Sequence, residues 1–100
     1  MPLDLARADR ATFAPHLGTV FQLQREGGAP LPFTLQEISK LPTAPSATRE
    51  AFLLRFTSDQ PGALPQQIYA LSHPALGTLE IFLVPAGPQA GLMRYDAVFG

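Results

Sequence analysis

The side chains able to do chemistry in this chain are few, and their spacing limits what each can do. His16 and His73 are its two imidazoles. A histidine-based metal site usually takes two or more nitrogen ligands with a carboxylate at coordinating spacing. These two stand far apart, and neither has an Asp or Glu within three residues. Each lies beside a Gly/Pro turn, where a ring nitrogen commonly bonds nearby backbone, so a structural or merely exposed role is expected for both. Ser39, Ser46, Ser58 and Ser72 are the serines. A serine acts as a nucleophile only beside a positioned base and an orienting acid. None lies in a G-x-S-x-G elbow, and Ser72 and His73, as neighbours in a strand, would point to opposite faces. Glu80 and Asp96 fall on adjacent expected strands and would be the carboxylates for acid–base work. Arg55 and Arg94 share their face, however, and cross-strand ion pairing is the simpler reading. Gly27-Gly28 is too short to cradle a phosphate, and no helix follows it. With no cysteine, thiolate catalysis, disulfides and Cys-ligated metal centres are excluded. The expectation is therefore no catalytic residue, no metal and no cofactor.

These residues must be positioned by short elements, because eleven prolines and eight glycines punctuate the chain. Such punctuation favours strands over long helices. Residues 1–17 read as an N-terminal helical or irregular segment, with Asp9 or Thr12 as a cap and Pro15 tolerated only near a helix end. Strands are expected over Thr19–Arg25, Leu31–Ser39, Arg49–Ser58, Gln66–Ser72, Thr78–Val84 and Leu92–Phe99. Glu26-Gly27-Gly28 is a hairpin turn by residue type. The Leu31–Ser39 segment is two-sided: Phe33 and Leu35 alternate, yet Thr34-x-x-Glu37 is a capping-box pattern and Leu35, Ile38 and Leu41 have helical spacing. Strand is chosen because the preceding turn needs a partner for the strand before it. Residues 41–48 read as a loop. Pro85 should stop the fifth strand, leaving Gly87 to Gly91 as a loop. Six short strands joined by turns imply one β-rich domain over residues 1–100: a small antiparallel six-stranded barrel or sandwich with a short N-terminal helical segment.

Composition narrows the partners. Charged residues are only 15% of the chain and the net charge is −1, against about 25% charged in an average domain. The cations are scattered, whereas sequence-independent nucleic-acid binding gathers Lys and Arg on one surface. No nucleic acid is expected. The start Met1-Pro2-Leu3-Asp4-Leu5 lacks the basic and apolar regions of a secretory signal. No apolar run approaches the roughly 20 residues of a spanning helix. A cytoplasmic protein without membrane insertion is the default, with later incorporation into an exported assembly left open.

Strand alternation assigns Phe21, Leu23, Phe52, Leu54, Phe56, Tyr69, Leu71, Leu79, Ile81, Leu83, Tyr95 and Phe99 to a core face. The opposite face then carries Val20, Leu53, Phe82, Val84, Leu92 and Val98, which is rich in apolar residues for a face turned to water. Two explanations compete. The N-terminal segment could fold over that face, burying Leu3, Leu5, Phe13 and Leu17. Alternatively Leu53, Phe82, Val84 and Val98 form an interface with another copy or another protein. The Pro-framed segment 59–67 offers Gln60, Gln66 and Gln67 as further candidate contacts, although turning a corner is its simpler role.

Several runs look familiar together: Phe13…His16-Leu17-Gly18-x-x-Phe21; Phe52-x-Leu54-x-Phe56; Leu64-Pro65-Gln66-x-Ile68-Tyr69-x-Leu71-x-His73-Pro74-x-Leu76-Gly77; Phe82-Leu83-Val84-Pro85; and Tyr95-x-Ala97-Val98-Phe99. With them the chain resembles, from Phe13 onward, an uncharacterised family of roughly 100-residue bacterial domains of unknown function. The resemblance transfers no functional residue. Some members look to be encoded near phage-tail-collar-like proteins, which implies an accessory role in a tail-like or surface assembly. The leading expectation is a non-enzymatic interaction or assembly module with a protein partner or a second copy of itself. The competing one is a small-ligand-binding barrel or weak enzyme with an end pocket lined by Gln66, His73, Tyr69 or Arg94.

Overall fold

In the computed structural model, which describes residues 9–25, 27–42, 51–59 and 64–99, the first described element is a helix, α1, Arg10–Phe13. Four residues do not hold a helix by propensity alone. A reciprocal cap does it: Asp9 Oδ1 accepts from the Thr12 N–H at 3.0 Å, and Thr12 Oγ1 accepts from the Asp9 N–H at 3.2 Å. A 3-10 turn, Ala14–His16, continues it with Pro15 in its first positions, where a missing N–H costs nothing.

Six antiparallel strands follow: β1 (Val20–Leu23), β2 (Leu31–Lys40), β3 (Phe52–Ser58), β4 (Gln67–His73), β5 (Gly77–Gln89) and β6 (Leu92–Phe99). They close into a barrel in the order β1-β2-β3-β6-β5-β4, since β1 pairs with both β2 and β4. The fold is the expected mainly-β, six-stranded architecture in its barrel form. β3 lies between β2 and β6, and β4 between β1 and β5, so the connection from Asp59 joins strands that are not neighbours.

Two bulges account for what alternation alone misread. In β2 the register to β3 shifts between Leu35 and Glu37. One extra residue reverses the inward and outward parity, so Leu31, Phe33 and Leu35 are buried, Gln36 and Glu37 are exposed, and Ile38 turns inward again. The three-residue spacing of Leu35 and Ile38 that imitated a helix is a bulged strand. In β5 the strand does not stop at Pro85. It runs on to Gln89, with its register to β6 shifted between Pro85 and Gly87. A proline is tolerated at such a bulge because the ladder is already interrupted there, and Gly87 takes φ +94°, open to it for want of a Cβ. The expected loop over Gly87 to Gly91 shrinks to Ala90-Gly91, both at positive φ, the pair demanded by a two-residue hairpin turn.

The interior is largely apolar, with Ser58 and His73 as its buried polar residues among those described. Every residue assigned to the core face by alternation is buried except Phe99, which is half-buried and packs on the core. Leu31, Phe33, Leu35, Ala97 and Phe13 join them. Phe13 does not cover the outer face as expected. Its ring is fully buried at the barrel end, with centroids 6.2 Å from Phe52 and 5.7 Å from Phe99, while Phe52 and Phe99 stack 4.9 Å apart. The helix thus plugs the end of the barrel and does not lie across its wall, and Leu17 is left exposed. Leu3 and Leu5 lie outside the described residues. The other end is closed by Leu64, whose N–H donates to Tyr95 Oη at 2.9 Å, and by the Tyr69 hydroxyl donating to the Pro65 carbonyl at 2.6 Å. Burial, with the nearby Tyr95 hydroxyl second, raises the Tyr69 pKa above that of free phenol.

Candidate functional site

The polar residues with chemical potential are tied into structural bonds. His73, at the close of β4, is buried against Phe21 with ring centroids 4.6 Å apart, and His16 meets it edge-on at 4.7 Å. His73 Nδ1 accepts from the Ala75 N–H at 3.0 Å. The proton must then sit on Nε2, which donates to Thr19 Oγ1 at 3.1 Å, and the Thr19 hydroxyl donates onward to the His16 carbonyl. Neither nitrogen has a lone pair free for a metal or a substrate proton. Desolvation, and secondarily the neighbouring His16, lower the His73 pKa below the usual imidazole value. Among the described residues no group of three or more His, Asp and Glu is placed to hold a metal.

Ser72 Oγ donates to the Gln22 carbonyl and accepts from Gln24 Nε2 at 2.9 Å. Glu80 and Asp96 do not meet: Glu80 stands opposite Ala70, and Asp96 stands between Arg55 and Val84. The sequence placed the two carboxylates on neighbouring strands but had no way to see the register that separates them. Asp96 receives a bidentate bond from Arg55, at 2.7 Å to Nε and 3.0 Å to Nη2. That hydrogen bond raises the Arg55 pKa against the opposing effect of burial. Arg94 donates to the Ala86 carbonyl at 3.0 Å and to the Gly87 carbonyl at 3.4 Å, strapping the β5 bulge to β6. Replacing Asp96 by Asn is expected to cost about 1 kcal/mol, since the pair is only part-buried. Urea unfolding of both chains checks it, the loss shrinking at high salt.

The residues of the proposed end pocket are not gathered. His73 lies at the barrel end plugged by Phe13, Tyr69 and Gln66 lie toward the end closed by Leu64, and Arg94 faces outward from β6. Gln66 and Gln67 are exposed beside β4, and Gln60 lies outside the described residues.

The outer wall is different. Ile68 on β4 stands directly opposite Phe82 on β5, and Val98 on β6 directly opposite Leu53 on β3. Continuing the Val84↔Asp96 register by two residues sets Phe82 level with Val98. One apolar row therefore crosses four strands. Three of its members are exposed to degrees unusual for large apolar side chains: Ile68 63%, Phe82 50% and Val98 67%. Leu53 and Val84 are half-buried and flank them. The sequence reading named Leu53, Phe82, Val84 and Val98 and missed Ile68. The signal was present, for Ile68 has the parity opposite to core-facing Tyr69 and Leu71.

A family model for a domain of unknown function, DUF6916, matches residues 8–99. The chain belongs to the DUF6916 family. No curated protein and no solved structure matches it. The match spans every strand of the DUF6916 barrel, the helical plug and the exposed row alike. No helix of the described DUF6916 residues is long and apolar enough to cross a membrane.

Proposed function

We propose that this DUF6916 domain is a non-enzymatic protein-interaction module, a self-associating subunit or small adaptor, that docks through the wall carrying Ile68, Phe82, Val98 and Leu53. The observation that carries the reading is the alignment of the three exposed side chains in one row. Scattered apolar residues on a surface need no explanation, whereas a contiguous stripe on a rigid sheet marks a place where protein surface is desolvated. The low charge of the whole chain favours the same reading, although the Arg55–Asp96 pair and Glu80 border the row. The structural bonds around His73, Ser72 and Asp96 agree with a non-enzymatic role. An accessory place in a cytoplasmically made tail-like or surface assembly would suit such a module.

The test is a photo-crosslinking side chain placed at position 82 or 98 of the full chain in its native host, with position 22 on the far wall as control. The expected result is a discrete protein adduct from 82 and 98, to a second copy or to another protein, and none from 22. Equal labelling from all three positions, or none from 82 and 98, would defeat the reading.

A further inference from the structure

The charged residues that border the apolar row are mostly acidic. On one side, two residues along their strands, Arg55 follows Leu53 and Asp96 precedes Val98, with Glu37 of β2 opposite Arg55. On the other side Glu80 stands two residues before Phe82, exposed and without a hydrogen bond or ion pair among the described residues. Glu37 is exposed as well, and its described bond is from the Ser39 hydroxyl at 2.6 Å. The Arg55 guanidinium is taken up by the bidentate bond to Asp96. Among the described residues, the border thus holds three carboxylates against one guanidinium, with a negative excess on each side. Arg94 is a row further out and is bound to the carbonyls of the β5 bulge. Lys40 pairs with buried Phe52 and shares its inward parity at the plugged end.

This charge pattern selects among occupants of the row. With a second copy stacked face to face, the two-fold axis runs either along the row or along the strands. The first arrangement sets Glu80 about one strand spacing, ~4.8 Å, sideways from the mate's Asp96. The second sets it the same distance from the mate's Glu80, so like charges meet either way, which disfavours that pairing. A complementary partner carries cations on both sides of an apolar stripe. The spacing of the row indicates its form. Neighbouring strands lie ~4.8 Å apart, and an extended chain repeats a side chain on one face every ~6.8 Å. A helix does so about once per turn, every ~5.4 Å, and so keeps pace with the row from Leu53 to Ile68. We propose that the row takes an amphipathic helix of a partner protein whose apolar stripe is flanked on both sides by Lys or Arg. The inference rests on the interaction-module reading and specifies its partner: apolar side chains on Ile68, Phe82 and Val98, with cations over Glu80 on one flank and over Glu37 and Asp96 on the other.

The probes are two helical peptides of about five turns with the same leucine stripe, one flanked by lysines and the other by glutamates. Each is titrated into the isotope-labelled full chain and followed by NMR at low salt. The lysine form is expected to bind about tenfold more tightly than the glutamate form, since one gains ion pairs where the other meets like charge. Shifts should centre on Ile68, Phe82 and Val98 and spare Gln22 on the far wall. Glu80→Lys, at an exposed residue with no described bond, should cut the preference to about threefold or less, and raising the salt should shrink it too. Several results would overturn the proposal: no binding of either peptide, equal binding of both, a preference that Glu80→Lys leaves unchanged, or shifts centred away from the row. Concentration-dependent shifts along the row without peptide would overturn it as well, making a second copy the occupant. Crosslinks from positions 82 and 98 with no lysine preference defeat the basic helix alone. A lysine preference with no crosslinks from those positions defeats the wall reading in the host.

Discussion

Replacing Phe13 by alanine is expected to destabilise the domain by about 3–5 kcal/mol, the range for removing a fully buried phenylalanine. The ring packs on Phe52 and Phe99, which have no other described aromatic above them at that end of the barrel. Its loss leaves a cavity that the stiff strand ends cannot close, and α1 loses the anchor that holds its four residues in place. At roughly 4–8 °C per kcal/mol for a domain of this size, the melting temperature should fall by more than about 12 °C. Thermal unfolding followed by circular dichroism measures it, with Phe13→Leu as a milder control. A fall under about 3 °C would show that the plug is not part of the cooperative unit.

Acid is expected to weaken the fold through His73. The folded protein holds this imidazole neutral, with its pKa below the ordinary value of 6.5, because burial and then His16 disfavour the charged ring. The unfolded chain therefore binds the extra proton first as pH falls. Stability is complete above the unfolded pKa, declines as pH drops through about 6.5, and levels off once pH passes below the folded value. Geometry adds to the loss, since a proton on Nδ1 would face the Ala75 N–H it now accepts from. His73→Asn keeps an acceptor for that N–H without a titrating ring. It should be less stable at pH 7.5, by about 1–3 kcal/mol for the lost Thr19 bond and packing, yet flatter between pH 7.5 and pH 5. Urea midpoints across that range decide it; parallel slopes in both chains would remove His73 as the sensor.

The reach of the sequence differs from strand to strand. The two faces of β3 were legible, because Phe52, Leu54 and Phe56 alternate with Leu53, Arg55 and Thr57 without interruption. β2 and β5 were legible only in part, since a bulge is a relation to the neighbouring strand and leaves no mark in one strand's own pattern. The same limit explains the carboxylates. That Arg55 would pair across strands could be read from charge and parity, but that its partner is Asp96, with Glu80 left opposite Ala70, is a matter of register.

The side chains able to do chemistry follow the same division. By residue type and spacing alone, the chain contains no cysteine and has isolated histidines and serines. It also has more apolar residues of outward parity than a water-facing sheet requires. These are local properties, readable from alternation because successive strand residues point to opposite faces. Only the closed barrel decided that His16 and His73 meet, that Phe13 goes into the barrel end and leaves the wall uncovered by α1, and that Ile68, Phe82, Val98 and Leu53 line up across four strands. Each depends on which strands are neighbours and in what register. Those choices are made by the packing of the whole core, and no segment of the chain carries them by itself.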